Sequence, residues 1–310
     1  MLRTMAFSTP IDRDGSTRTG PARQPAQMLA DQSYDGGASV HDAETAAALG
    51  LAGAPIEGPT HFSQFDPLAH DLWGRQWFET GCISSHFKTM VIEGEEVIAS
   101  LTDRGDGRAD IAAVKADGTP VLEGTATVDP EAPTALRERL AEVSTRDPGQ
   151  LHIIDRLTVG DVLADDDPHV IDFATRNGNL YPFSLNEKLD RITEPSSWYH
   201  SADNPWGRPI IPFEMYSVLT NKQGRSFEVR GPSKGLFVDL EVRAVAGPLF
   251  VDQPYLVERE IVAVGQSRRV EAYWTESRIL DADTKQHVAT VLLHQGVFKA
   301  SYADYPTGAD

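Results

Sequence analysis

Positive charge is what this chain has least of: 28 Lys and Arg stand against 46 Asp and Glu, a formal net charge of -18 at pH 7. Nucleic-acid binders gather basic faces, so no nucleic-acid partner is expected. Cysteine is nearly absent too. Cys82 stands alone, so no internal disulfide can form, which fits a reducing cytoplasm. With no obvious basic partner it reads as an inert core or strand residue rather than a nucleophile. No apolar run approaches the roughly 18 residues of a membrane-spanning helix, and none of signal-peptide type follows Met1-Leu2-Arg3. A cytoplasmic location and no membrane are the expectation. His-x-x-x-His and Glu-x-x-His spacings are missing, as is a Gly-rich phosphate loop after a strand. Neither a metal nor a cofactor is therefore expected.

What is present suits a folded core. The 310 residues are 40% hydrophobic and 24% charged, ordinary for one large or two smaller globular domains. The chain then states one pattern twice. Gly53-Ala54-Pro55-Ile56 runs into Thr60-His61-Phe62-Ser63-Gln64-Phe65, and Gly207-Arg208-Pro209-Ile210 runs into Glu214-Met215-Tyr216-Ser217-Val218-Leu219. Strand-rich sequence follows each copy. A period of about 150 residues is a domain, not a solenoid unit, so the two halves are expected to build one site between them.

Residues 1–26 read as a flexible tail. Asp42 caps a short helix to Leu49, with Gly50 beyond its end. Phe62, Phe65, Ala69, Leu72 and Trp73 recur at helical spacing, broken near Pro67. Strands are expected at 83–91, 96–102, 111–114 and 120–128, with Asp117-Gly118 as a hairpin turn. The first domain spans 27–130, and 131–150 is a linker with a helix from Thr134 to Val143. The second domain spans 151–310. Its helix runs from Glu214 to Lys222 before Gly224, a half-buried strand from 236 to 243, and long strands over 255–264, 268–280 and 287–300. One helix against one long curved antiparallel sheet, twice, is an α+β architecture.

That order resembles the hotdog fold, and more narrowly the MaoC-like hydratases and dehydratases of acyl thioesters. The resemblance rests on Ala54-Pro55-Ile56, Ser85-His86-Phe87-Lys88, Val91 to Val97 and Pro120 to Val128. In the second half it rests on Gly207 to Ile210, Gly247-Pro248-Leu249 and Leu292 to Phe298. It implies a tandem, double hotdog: two long curved antiparallel sheets, each wrapping a central helix, with the two helices enclosed by a joint sheet. The family carries D-x-N-P-x-H-x-D before the helix, whose Asp and His activate the water that adds to an enoyl thioester. A general acid and base are needed because a proton moves to the α-carbon as hydroxide adds at the β-carbon.

Both halves depart from that motif. In the first, Asp35 and Asp42 keep the spacing of the two aspartates, Val40 sits at the His position and His41 follows one residue later. Gly37-Ala38 replaces Asn-Pro. In the second, Asn177 stands at the Asp position, Asn179 keeps the Asn, and Pro182 takes the place of the His; an insertion from Leu185 to Asn204 follows. Glu57 and His61 make an acid/base pair if the segment is α-helical; the plainer reading gives Glu57 to the helix N-terminus and His61 to the domain interface. The candidate catalytic set is therefore Asp35, His41, Glu57 and His61. Candidates for binding substrate are Asp42, His86, Asn177, Asn179, Tyr181, Glu214 and Tyr216. His86 is open to either face of its strand. His70 with Asp66 reads as an exposed pair, Glu79 as a buried acid or a turn residue, and Trp198-Tyr199-His200 as a lid or a packed loop. The resemblance implies a thioester substrate carried on coenzyme A or acyl carrier protein, and a possible homodimer. Hydration or dehydration leads. A helix-mouth group acting on an unusual substrate by hydration, cyclisation or hydrolysis is the second reading, and a non-catalytic acyl-binding double hotdog is the third.

Overall fold

The computed structural model describes residues 6–34, 37–221 and 226–306. Two short strands, β1 (Asp12–Asp14) and β2 (Thr17–Thr19), form a hairpin; β3 (Ser33–Tyr34) and β4 (Gly37–Ala38) form another, separate one. Helix α1 (Ala43–Ala48) follows. A 3-10 helix (Gly58–Phe65) then leads into α2 (Asp66–Trp73) and α3 (Gln76–Thr80). Four strands complete the first half: β5 (Cys82–Phe87), β6 (Val97–Asp103), β7 (Arg108–Lys115) and β8 (Pro120–Thr127). Helix α4 (Ala135–Val143) lies in the connection. The second half adds β9 (Val162–Ala164), β10 (His169–Val170), α5 (Leu185–Leu189) and a 3-10 turn (Phe213–Met215) continuing into α6 (Tyr216–Asn221). It closes with β11 (Gly235–Ala244), β12 (Pro254–Gln266), β13 (Val270–Asp281) and β14 (His287–Phe298).

The sheets of the two halves join into one, as the resemblance implies. Its strands run β1-β2-β6-β7-β8-β5-β11-β14-β13-β12-β10, with β9 also on β12, making twelve strands. The joint is β5 against β11, antiparallel, with His86 opposite Asp239 and Ile83 opposite Val242. Pairing these strands removes two edges whose free N–H and C=O groups would otherwise face water or aggregate. On one side of the sheet the two central helices share a core that includes Phe62, Phe65, Leu68, Trp77, Phe213, Met215, Leu240 and Val242. On the other side α4 crosses the joint, its Leu136 packing with Trp274 and Leu292. This cover corrects the half-buried reading of β11, because Asp239, Leu240, Glu241 and Val242 are all buried.

The helix break has a simple cause. Pro67 lacks the N–H that would continue the Gly58–Phe65 turn, so the chain restarts as α2 with proline in its first turn. The segment read as a flexible tail is tied down at several points. Thr17–Thr19 pair with Ser100–Thr102 on β6, Phe7 bridges Ser196, and Arg23 bridges Val97. Arg23 Nε also donates to buried Glu194 at 2.7 Å. Composition could not show this, because the anchoring acid sits in the other half. Among the described residues no helix is long and apolar enough to cross a membrane.

Candidate active site between the halves

A cavity of about 750 Å³ opens where the halves meet. The first half supplies Tyr34, His41, Ile56, Glu57, His61 and Phe87; the second supplies Tyr181, Asn221, Phe227, Phe237, Tyr273 and Gln295. Lys88, Thr89, Met90, Ser226 and Glu228 are exposed and mark the mouth, whereas Ile56, Glu57, His61, Val121 and Tyr181 are buried and mark the interior.

His41 is positioned by the loop in front of α1. Its amide donates to Ser39 Oγ at 3.1 Å, and its Nδ1 lies 2.6 Å from the Pro55 carbonyl oxygen. A carbonyl only accepts, so Nδ1 carries the proton and Nε2 keeps the lone pair. Burial pushes the His41 pKa down, partly offset by that hydrogen bond, so the ring is a neutral base at pH 7. Pro55 is itself held by a bridge to Ile92, and Ile56 N donates to Val91 O at 2.8 Å.

Glu57 precedes the 3-10 turn but makes no capping hydrogen bond, so it does not serve the helix N-terminus. Burial pushes its pKa up to about 7, with Lys188 pulling down and Glu214 pushing up. Burial lowers His61 to about 4, and the Lys188 charge adds to this. At three residues per turn, Glu57 and His61 do not share one face as an α-helix would place them, yet both line the cavity. Glu57 Oε1 and His61 Nδ1 have no hydrogen-bond partner. Such buried polar atoms cost about 1–3 kcal/mol each and are a signature of functional sites. Tyr181 is buried beside Glu57, and burial raises its hydroxyl well above the ordinary value.

Behind the cavity lies a residue that sequence reasoning missed. Lys188 on α5 is 2% exposed. Its Nζ donates to Thr60 Oγ1 at 3.1 Å and sits 3.3 Å from Glu214 Oε1. The signal was present: Leu185, Lys188, Leu189 and Ile192 share helical spacing, so a lysine occupies a core position of that face.

The other candidates lie elsewhere. Asp35 falls outside the described residues. Asp42 caps α1, accepting from Thr45 N at 2.8 Å, and does not line the cavity. His86 points to the α4 side of the sheet, where it bonds Asp239, which also accepts from His294 Nδ1 at 2.5 Å. Asn177 is buried and donates from Nδ2 to the Phe183 carbonyl at 2.9 Å. Asn179 is exposed, its carbonyl accepting from Ser33 N at 3.1 Å. Glu214 pairs with Lys188 outside the cavity lining, and the Tyr216 hydroxyl accepts from Leu249 N at 3.1 Å. Asp66 is buried rather than exposed, bonded by Trp77 and Tyr199, and His70 packs edge-on against Trp198. Glu79 accepts from Trp206 Nε1 at 3.2 Å. Trp198 and Tyr199 form a packed 3-10 turn. Among the described residues no group of three or more His, Cys, Asp or Glu is placed to hold a metal.

No family model matches the chain, and no curated protein matches it. Many solved structures are similar in shape, and two of them show the likeness. One is described as a MaoC-domain protein dehydratase from Chloroflexus aurantiacus, 14% identical over 95% of each chain with a TM-score of 0.50. The other is Rv0216 from Mycobacterium tuberculosis, described as having a double hotdog fold. It is 12% identical over 96% of this chain and 100% of that chain, with a TM-score of 0.57. At such identities the likeness speaks to the fold. The shared sheet, the paired central helices and this likeness together make the chain an α+β double hotdog protein.

Proposed function

We propose that this chain processes an acyl thioester, adding water to an enoyl group or removing it from a 3-hydroxyacyl group, as a hydro-lyase without a cofactor. The observation that carries the reading is the pairing, in one cavity, of a neutral histidine with a fixed lone pair and a buried carboxyl that holds its proton near pH 7. Environments that push two pKa values apart in this way define an acid and a base. His41 Nε2 takes a proton from water as the oxygen bonds to the β-carbon. Glu57 gives its proton to the α-carbon, and the proton on His41 returns through solvent or Tyr181 to restore Glu57. Asp35, at the position of the first motif aspartate, shares the activation of that water. His61, neutral, donates a hydrogen bond to the thioester carbonyl. Coenzyme A or acyl carrier protein carries the acyl group in the cytoplasm, and the chain acts alone or as a homodimer.

The test is turnover of a crotonyl-type thioester by the purified protein and by three variants. His41→Ala, Glu57→Gln and Asp35→Asn are each expected to lower kcat by about 10²- to 10⁴-fold. Failure of the wild type with every enoyl and 3-hydroxyacyl thioester would sink the proposal.

A second reading is favoured by the two unpartnered atoms on Glu57 and His61. Here those two groups catalyse without Asp35, by hydration, cyclisation or thioester hydrolysis on an unusual substrate. Full activity in Asp35→Asn combined with loss in Glu57→Gln would select it.

A further inference from the structure

The ion pair behind the cavity belongs to the second half and is tied to the first half at a chemically sensitive point. Lys188 and Glu214 are 2% and 1% exposed. Lys188 makes its hydrogen bond across the interface to Thr60. Thr60 lies between Glu57 and His61 in the chain, and its amide donates to the Glu57 carbonyl at 3.2 Å. The lysine is thus fastened to the turn that carries both cavity groups. A buried ion pair is a poor way to hold helices together, since apolar side chains of similar size do so as well or better. Phe183, whose ring centroid is 5.5 Å from Lys188 Nζ, shows that apolar packing is already in place around it.

We propose that Lys188 and Glu214, both from the second half, are positioning residues that set the charge carried by Glu57 in the first-half portion of the site. This rests on Glu57 being the acid of the reaction proposed above. Lys188 from α5, Glu214 from the second central helix and Tyr181 from the loop before α5 interact electrostatically with Glu57, and His61 from its own turn and His41 from the loop before α1 line the same cavity. Asp66 interacts electrostatically with Glu214. Lys188 favours the Glu57 carboxylate and Glu214 favours the neutral acid. The protonation of Glu57 therefore reflects a balance controlled from the opposite half.

Opposed influences give an unusual signature. The carboxyl of Glu57 is followed by infrared titration of the whole protein, with Glu57→Gln assigning the band, and the pH dependence of kcat/KM is measured alongside. Lys188→Met is expected to move the titration midpoint and the alkaline limb upward by about one pH unit, and Glu214→Gln to move both downward by a similar amount. General structural damage does not produce shifts of opposite sign. Midpoints that stay put, or move in the same direction, overturn the proposal. If Lys188→Met does not fold, Glu214→Gln must still lower the midpoint, and its failure to do so is equally decisive. A wild type that turns over no thioester refutes the proposed reaction while leaving the infrared midpoints to decide this assignment.

Discussion

Asp66 offers a test in which intuition and electrostatics disagree. It is fully buried at the start of α2, with Trp77 Nε1 donating to Oδ1 at 2.8 Å and Tyr199 OH donating to Oδ2 at 2.9 Å. Two good hydrogen bonds suggest a carboxylate worth keeping. Burial nevertheless dominates and pushes the pKa to about 7 from the ordinary 3.8, the two donors offsetting only part, while Glu214 and Glu194 add to the rise. From pH 4 to 7 the folded protein therefore holds a proton that the unfolded chain has released. Stability falls as pH rises across that window and stays low above it, by about 4 kcal/mol in all at roughly 1.4 kcal/mol per pH unit. Asparagine keeps the shape and buries no charge. Its Oδ1 accepts from Trp77 and its amide donates to the Tyr199 hydroxyl, which rotates to accept. Asp66→Asn is expected to be near neutral at pH 4, stabilising by about 1.5 kcal/mol at pH 5 and by up to about 4 kcal/mol at pH 8. Urea unfolding of wild type and variant at pH 5, 6, 7 and 8 measures the difference directly. A variant less stable at pH 8, or a difference that does not change with pH, refutes the reasoning.

Three shorter predictions follow from burial and contact. Burial, with Glu241 nearby, raises the Cys82 thiol well above its ordinary value, so the native protein should not react with a disulfide reagent at pH 8 and should release one thiol on unfolding; rapid native labelling would mean the β5–β11 joint opens. Glu194→Ala strands Arg23, which bonds it through Nε at 2.7 Å and Nη2 at 3.0 Å. The expected loss is about 2–4 kcal/mol, with protease cleavage appearing before residue 23; a segment as resistant as wild type would contradict this. Gly124→Ala places a Cβ 1.9 Å from the Ser84 carbonyl oxygen, and should cost at least about 3 kcal/mol in urea unfolding because backbone has to move; a loss below 1 kcal/mol would show that β5 and β8 yield easily.

Repeating strands, caps and turns are written locally, which is why they were legible. Asp42 does cap its helix, Gly118 takes the left-handed conformation (φ 85°) that the Asp-Gly turn requires, and β12, β13 and β14 run close to where alternation places them. The burial of the joint between the sheets was not legible, because its polar residues alternate as they would on a solvated face. Asp239 and Glu241 read as exposed, yet α4 covers them with Arg137 and Arg139. The anchored N-terminal segment was hidden for a related reason. Its partner Glu194 is 171 residues away, and no local rule connects them.

The candidate site was half legible, and the illegible half explains the damaged motifs. In the second half the loop that should carry the Asp and His is committed to structure: Asn177 donates to the Phe183 carbonyl, and Pro182 has no side-chain donor to offer. At those two positions the loop offers neither an acid nor a base. The first half keeps a histidine whose tautomer is fixed by Pro55 and a carboxyl whose pKa burial raises to about 7. Neither depends on the Asn-Pro pair that the motif lost. What the second half contributes is environment: Tyr181 on the cavity wall, and a buried cation and anion acting in opposite directions on Glu57. On the proposed reading a duplicated domain leaves one copy free of proton transfer, and the second copy carries a buried lysine on α5. On the proposed reading, the two halves diverged by dividing the work of one site, with proton transfer in the first and control of charge in the second.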